Sequence, residues 1–485
     1  MMLAAFIIPR IIITTYGSDI NGIVTSVTQF IAYFVLVEAG ISGASIYALY
    51  KPLAEKNISS INGILSASKK FYILSGYIFL TLVVLLALFY PYIIKGNILP
   101  YWKISIIVFA LGTSGALDFF TLSKYRVLLT ADQRSYIISI SQIVYWGLNV
   151  VLTYFLAKAK CDIVLLQVIL LTSVFVRSFI LWYYVKEHYD YINYSVEPDI
   201  SSIKERWNVL YLQLLGSIQS ACPVILATVF LQIKEVSVYA IYNMVVSGID
   251  GILSVFTAGL SASFGDVIVR KERKTLQKAY REFEQMYYLF ISVVYSVSLL
   301  LIIPFISLYT KGVKDAEYIL PTLGTIIVLN GLLYNIKTPQ GMMVVAAGMY
   351  RQTRWQTTIQ GSIALIGGLI GVKFLGLYGI VIGLMLSNIY RDIDLLFFVP
   401  KNITKLSHMR TVRNMSAVLF TLIPALYISF KYPIEIDNFI QWILYGALFT
   451  FAFFIWALFI NLIIDKQNML DIFKRIGTII SKKIK

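Results

Sequence analysis

Polar side chains interrupt one long apolar run of this chain at helical spacing. Six of them, between positions 243 and 261, are separated by 4, 3, 4, 3 and 4 residues. At 3.6 residues per turn these positions share one helix face. Such a stripe either joins helices by hydrogen bonds or lines a water-filled lumen, and its carboxylate favours the lumen. The stripe consists of Asn243, Ser247, Asp250, Ser254, Thr257 and Ser261.

Ionisable residues lie within other apolar runs as well. A charge at the centre of a bilayer costs about 2.5–3.5 kcal/mol, so it normally has a function or a partner. Guanidinium and ammonium groups bind phosphate, so cations spread over three runs suit a cavity for an anionic headgroup. Ion pairing with the acids Glu38, Asp118 and Asp250 is the alternative. The predicted substrate-binding residues are Arg10, Arg177, Lys337, Asn330 and Tyr334.

Composition places these residues in a membrane. Of 485 residues, 58% are hydrophobic and 14% are charged, whereas a soluble domain carries about 25% charged residues. The net charge of +16 would suggest nucleic acid in a soluble protein. Most Lys and Arg, however, lie in short gaps between apolar runs, where they anchor membrane spans. We therefore expect membrane lipids around the chain and no nucleic-acid partner.

Apolar runs of about 20 residues predict membrane-spanning helices, and the sequence contains fourteen such runs. The first run is short for a span, so we expect its N-terminal half to be truncated, and it lacks the features of a signal peptide. The predicted fold is an all-α polytopic membrane protein. Its spans are 1–15, 21–49, 71–94, 104–123, 136–157, 162–185, 208–231, 236–264, 287–309, 318–347, 355–373, 376–399, 415–431 and 439–464.

The distribution of basic residues predicts the orientation of the spans. The gaps after even-numbered spans, with the C-terminal tail and Arg391 near the end of span twelve, hold 29 Lys and Arg. The gaps after odd-numbered spans hold 9. Cytoplasmic loops carry the excess of Lys and Arg, so both termini are predicted to be cytoplasmic. The expected location is the bacterial cytoplasmic (inner) membrane.

The two halves of the chain resemble each other at an offset of about 217–219 residues. Three matches in the same order predict two parallel copies, which would enclose a central cavity. The matched pairs are AGIS (39–42) with AGLS (258–261), PYIIKG (91–96) with PFISLYTKG (304–312), and LLTADQRSY (128–136) with VVAAGMYRQT (344–353).

The repeat predicts a domain organisation. Two pseudo-symmetric six-helix lobes are expected at 1–190 and 200–400. Two extra helices follow at 414–464, and a basic cytoplasmic tail occupies 465–485.

A cavity that opens alternately to each side needs a group whose proton or ion occupancy differs between the two states. Asp250 is the only carboxylate on the polar stripe. We predict Asp250 as the ion-coupling residue, with Glu38 and Asp118 as further candidates. A purely structural role in a hydrogen-bond network or ion pair is the alternative.

Several segments resemble the polysaccharide-repeat-unit flippases called Wzx, of the multidrug/oligosaccharidyl-lipid/polysaccharide exporter superfamily. The resemblance is strongest in the first third of the chain. The segments are TYGSDINGIVTSVTQF (15–30), EAGISGASIYALYKPLAEKN (38–57), KYRVLLTADQRSY (124–136) and AAGMYRQT (346–353).

The resemblance implies a cationic central cavity and a defined substrate. An undecaprenyl-pyrophosphate-linked oligosaccharide would move from the cytoplasmic to the outer leaflet for O-antigen, capsule or lipopolysaccharide assembly. An H+ or Na+ gradient would drive this transport, as in an antiporter, and a polysaccharide polymerase is a candidate partner. The sequence contains no G-x-x-x-x-G-K-[ST] phosphate loop, so we expect no ATP hydrolysis and no cofactor.

Other functions remain open at this stage. One alternative is a drug or lipid-precursor exporter of the same superfamily. Another is a membrane glycan polymerase or glycosyltransferase, but such enzymes place reactive residues in a large outer loop, and no predicted outer loop exceeds about a dozen residues. We therefore expect no catalytic residue. The RDID segment at 391–394 resembles a metal-binding D-x-D motif; we interpret it as solvated carboxylates near a helix end. His188 and His408 lack metal-ligand spacing.

Overall fold

The computed structural model describes residues 2–96, 99–199, 221–349, 351–432 and 434–484. Every regular element in these ranges is a helix, which confirms the all-α prediction. The helices are α1 (Met2–Tyr16), α2 (Ser18–Ala54), α3 (Ile58–Ile93), α4 (Tyr101–Leu117), α5 (Ser123–Ala131), α6 (Ser135–Lys158), α7 (Ile163–His188), α8 (Ala221–Phe230), α9 (Ile233–Ala258), α10 (Leu260–Val269), α11 (Arg273–Tyr309), α12 (Pro321–Ile336), α13 (Thr338–Ala346), α14 (Arg354–Val399), α15 (His408–Lys431), α16 (Phe439–Ile464) and α17 (Lys466–Ile484). Two π-helical turns follow α4 and α14, at Asp118–Leu122 and Pro400–Thr404.

The number of spans agrees roughly with the predicted fourteen. Ten helices of the described residues are long and apolar enough to cross a membrane. Two shorter apolar helices are Leu3–Tyr16, which is most of α1, and α8. One of the ten, Arg354–Thr404, contains both the eleventh and the twelfth predicted spans. Together, α12 and α13 correspond to the tenth. Most of the seventh predicted span lies outside the described residues. The polytopic architecture is thus confirmed.

Three spans predicted as continuous are divided. The fourth contains the π-helical turn that begins at Asp118, and the eighth breaks at Gly259, between α9 and α10. The tenth breaks at Lys337, between α12 and α13. Pro339 has no N–H to donate to the Asn335 carbonyl, which accepts the Lys337 N–H instead. Helix breaks of this kind often occur at functional sites.

The chain divides into two compact units. Unit 1 comprises Met1–Ala240 and Gly312–Ala316, and unit 2 comprises Ile241–Lys311 and Glu317–Lys485. The segment Gly312–Ala316 is held in unit 1 by Asp315. Its carboxylate accepts hydrogen bonds from the Ser18 N–H at 2.7 Å and from the Ser18 hydroxyl at 2.8 Å. In unit 2 the long helix α11 packs against α12, α15 and α16. The two extra helices are therefore part of unit 2.

Close glycine contacts join the two halves of α14. The chain reverses at Gly376, whose φ of 57° and ψ of −132° suit glycine. A β-carbon on Gly379 would lie 2.0 Å from the Gly371 carbonyl oxygen, and one on Gly383 would lie 2.4 Å from the Gly368 nitrogen. Small residues thus let the two backbones touch, as in other membrane helix pairs.

Thiol labelling tests the predicted orientation. Lys56, Lys160 and Lys274 are all exposed, so single cysteines there should be accessible to reagent. In a background without Cys161 and Cys222, we expect Lys160→Cys to react with an impermeant thiol reagent in intact cells. We expect Lys56→Cys and Lys274→Cys to react only after the membrane is permeabilised. Labelling of Lys274→Cys from outside would reverse the orientation.

Candidate functional site

Unit 1 contains a cluster of two acids and two arginines around the π-helical turn. Glu38, on α2, accepts hydrogen bonds from Arg126 Nη2, on α5, at 2.9 and 3.2 Å. Asp118, the first residue of the π-helical turn, accepts from Arg177 Nη2, on α7, at 3.0 Å. Glu38 and Arg177 are 8% and 6% exposed, respectively. Both predicted acids of this unit thus have a basic partner, which is the ion-pairing arrangement considered above.

The other predicted cation of unit 1, Arg10, lies on α1 and is partly buried. The Arg10 carbonyl oxygen accepts a hydrogen bond from the Thr14 hydroxyl at 2.7 Å. The helix packs against α2 and α6. The substrate-binding roles of Arg10 and Arg177 stay predictions.

The Asp118–Arg177 pair predicts an effect on stability. Removing one partner of a buried ion pair costs roughly 3–5 kcal/mol, and we expect the lower end because the Asp118 side chain is 26% exposed. Arg177→Gln should therefore lower the melting temperature of the purified protein. Asp118→Asn combined with Arg177→Gln should restore most of the loss, since no charge is then left unpaired. The pairing would be contradicted if the melting temperature of the double variant fell by as much as the falls in the two single variants added together.

In unit 2, Asp250 belongs to a hydrogen-bond network. Its Oδ1 accepts from Asn335 Nδ2 at 2.6 Å and from the Tyr295 hydroxyl at 3.4 Å. Asn335 Nδ2 also donates to the Tyr295 hydroxyl at 2.8 Å, and Asn335 Oδ1 accepts from the Tyr287 hydroxyl at 3.0 Å. Asp250 therefore has the structural partners of the alternative interpretation. Its role in ion coupling stays a prediction.

Lys337 lies at the break between α12 and α13. Its ammonium group donates to Asn388 Oδ1, on α14, and lies 4.6 Å from the centroid of the Tyr334 ring. Asn388 in turn donates to Asn330 Oδ1 at 3.0 Å. Three of the five predicted substrate-binding residues, Lys337, Tyr334 and Asn330, are thus connected in unit 2.

A cavity of ≈ 390 Å³ opens beside this group. Two of its lining residues, Lys337 and Arg391, are cationic, and none is acidic. Gln360 also lines the cavity; it is 5% exposed, and its Nε2 has no acceptor among the described residues. The remaining lining residues are three hydroxyl residues, Tyr334 and four small or apolar residues. They are Thr257, Ser261, Thr338, Tyr334, Gly341, Met342, Val345 and Leu395.

The interpretation of 391–394 as solvated carboxylates is wrong. Arg391 and Asp392 are 8% and 9% exposed, respectively. Arg391 Nη1 donates to Asp394 Oδ2 at 2.6 Å, and Arg391 also lines the cavity. The segment lies about two turns before the end of α14, which packs against α12, α13 and α15. No metal-binding group of three or more His, Cys, Asp or Glu is present in the described part of the chain.

A further buried acid of unit 2, Glu284 on α11, was not among the predicted site residues. This fully buried carboxylate accepts hydrogen bonds from Thr411, Tyr280, Asn414 and Gln340 at 2.8 to 3.2 Å. It was missed because positions 264–287 read as a polar gap, whereas α11 begins at Arg273. The network joins α13, which lines the cavity, to α11 and α15.

Known proteins resemble this chain in fold rather than in sequence. A scan against family models and a search of curated proteins found no match. An inward-facing structure of a multidrug-resistance MATE transporter of the MOP superfamily matches with a TM-score of 0.70 and 15% identity, over 86% of this chain and 96% of that one. The lipid II flippase MurJ, in an inward closed conformation, matches with a TM-score of 0.68 and 14% identity, over 93% and 95%.

A third solved structure extends the comparison. The MATE multidrug transporter DinF-BH, solved as a complex with a small molecule, matches with a TM-score of 0.61 and 15% identity, over 84% of this chain and 93% of that one. All three are transporters, and their identities to this chain are low. The chain therefore has the fold of MOP superfamily transporters.

Proposed function

We propose that this protein is a Wzx-like flippase that moves an undecaprenyl-pyrophosphate-linked oligosaccharide across the bacterial cytoplasmic membrane. The fold supports a transporter, because its structural neighbours are named as a multidrug-resistance transporter and as a lipid II flippase. The sequence resemblance in the first third of the chain supports the polysaccharide branch. The cavity of unit 2 supports an anionic substrate.

The lining of that cavity is the observation that carries the proposal. Lys337 and Arg391 supply positive charge, and Gln360 Nε2 is a buried donor whose hydrogen bond is not made within the described chain. A buried donor without an acceptor costs free energy, and a ligand oxygen would satisfy it. Cationic donors and a neutral amide donor can all bind pyrophosphate oxygens. The volume falls within the range of about 300–1,000 Å³ for ligand pockets, enough for the pyrophosphate and an adjoining sugar.

Ion coupling is a separate part of the proposal. Outward movement of the substrate would use an H+ or Na+ gradient, with Asp250, Glu38 and Asp118 as candidate coupling acids. Each has hydrogen-bond or ion-pair partners that a change in protonation would disturb. A difference in those partners between two states of the transporter is what coupling requires.

Ligand binding tests the substrate class against the drug-exporter alternative. The purified protein in detergent would be heated with either an undecaprenyl-pyrophosphate-linked glycan or the cationic dye ethidium. A ligand at 100 times its Kd stabilises the folded state by about 2.7 kcal/mol. We expect the lipid-linked glycan to raise the melting temperature and the dye to leave it unchanged. Stabilisation by the dye alone would favour a drug exporter.

A further inference from the structure

Asp392 is a buried carboxylate that the substrate site does not use directly. It lies on α14 one turn after Asn388, so the two side chains share a helix face. Asn388 accepts the hydrogen bond of Lys337, which brings the ammonium group to that face. Asp392 Oδ1 is buried and has no hydrogen-bond donor in the described part of the chain.

The surroundings of Asp392 contain one dominant charge. Lys337 is the charged group that acts on it most strongly, and Lys337 interacts in turn with Asp392, Arg391 and Asp250. The charge of Asp392 also acts on Tyr288, on α11. Buried or half-buried charged groups on the same helix and on α11 and α15 include Arg391, Asp394, Glu284 and Arg410.

An ionised carboxylate is costly in such a place unless a cation neutralises it. Asp392 therefore has two accessible forms, ionised beside Lys337 or protonated. An anion in the cavity would compete with ionised Asp392 for the same ammonium group and would be repelled by the carboxylate. The protonated form leaves Lys337 free for the anion.

We propose that Asp392 is a proton-binding site linked to anion occupancy of the cavity, through the charge that both share on Lys337. This rests on the proposed function, because it needs an anion beside Lys337 and Arg391. Anion binding takes up a proton at Asp392, and protonation of Asp392 strengthens anion binding by the same factor, as linkage requires.

Sulfate is a suitable probe because it stays dianionic over the tested range. Its Kd for the purified full-length protein would be measured by thermal-shift titration between about pH 5 and pH 9. We expect the Kd to rise roughly tenfold or more across this range. Asp392→Asn, which keeps the side-chain shape, should bind sulfate below about pH 7 with a pH-independent Kd close to the low-pH value of the unaltered protein. Asp437→Asn removes an exposed carboxylate outside the cavity lining; it is the control and should keep the pH dependence.

Calorimetry of the unaltered protein gives a second measurement that needs no variant. Sulfate binding in two buffers of different ionisation enthalpy should show proton uptake. The linkage is overturned if Asp392→Asn keeps the pH dependence, if the control Asp437→Asn removes it, or if no proton is taken up. Sulfate binding that is independent of pH refutes only the linkage. No sulfate binding at any pH refutes the anion site of the proposed function, and the linkage with it.

Discussion

Replacing Lys337 with glutamine is expected to weaken binding of undecaprenyl pyrophosphate roughly 10- to 150-fold, because hydrogen bonds to charged groups contribute about 1.5–3 kcal/mol. Arg391→Gln should have a similar effect, since its guanidinium group lines the same cavity. The double variant should bind more weakly than either. The Kd would be measured with the purified proteins and the lipid without its glycan.

Two controls separate loss of contact from loss of structure. Lys373 lies on α14, as Arg391 does, but its side chain is exposed. Lys373→Gln should therefore leave the Kd unchanged. Arg391→Gln leaves Asp394 without the guanidinium partner recorded at 2.6 Å. The double variant Arg391→Gln with Asp394→Asn leaves no unpaired carboxylate at this position. It should still bind undecaprenyl pyrophosphate weakly. An unaltered Kd in both Lys337→Gln and Arg391→Gln would show that the cavity does not hold the pyrophosphate.

Gly379→Ala is expected to prevent the two halves of α14 from packing. The added β-carbon would lie 2.0 Å from the Gly371 carbonyl oxygen and 2.2 Å from its carbon. Both are backbone atoms, so no side chain can move aside, and the backbones must separate. The free energy of unfolding should fall by more than about 4 kcal/mol, a decrease that is rare for a single substitution. Size-exclusion chromatography after detergent extraction should show little or no monodisperse protein.

Gly147→Ala provides the matched control. Gly147 lies within α6, and a β-carbon there meets nothing within 4 Å. Alanine has the higher helix propensity by about 1 kcal/mol, so this variant should be as stable as the unaltered protein or more so. A normal yield of monodisperse Gly379→Ala would refute the close backbone contact within α14.

The architecture could be read from the sequence because span length and hydrophobicity are local properties. The unpredicted details concern breaks inside spans. The run at 318–347 is apolar throughout, and only Pro339 indicates that the helix divides there. The offset of 219 residues aligns Asp118 with Lys337, and each lies at such a break in its own unit. That correspondence could have marked both positions as sites.

The candidate site was predicted only in part, because side-chain partners depend on packing. The spacing of Asn330, Tyr334 and Lys337 placed them on one face. In the structure Asn388 is hydrogen-bonded to Lys337 and to Asn330, and the Tyr334 ring contacts the Lys337 ammonium group. Arg391 was missed even though it lies within the predicted span 376–399, where any ionisable residue is costly. Nothing in the sequence indicates that Gln360 would reach the same cavity.

Translocation in proteoliposomes tests the central claim most directly. The purified protein would be reconstituted with a fluorescent undecaprenyl-pyrophosphate-linked oligosaccharide, and the labelled lipid reaching the outer leaflet would be followed with an impermeant quencher. We expect faster appearance than in protein-free liposomes, further acceleration by an H+ or Na+ gradient, and a rate near the protein-free value for Lys337→Gln. Translocation no faster than in protein-free liposomes, with export of ethidium under the same gradient, would contradict the flippase assignment.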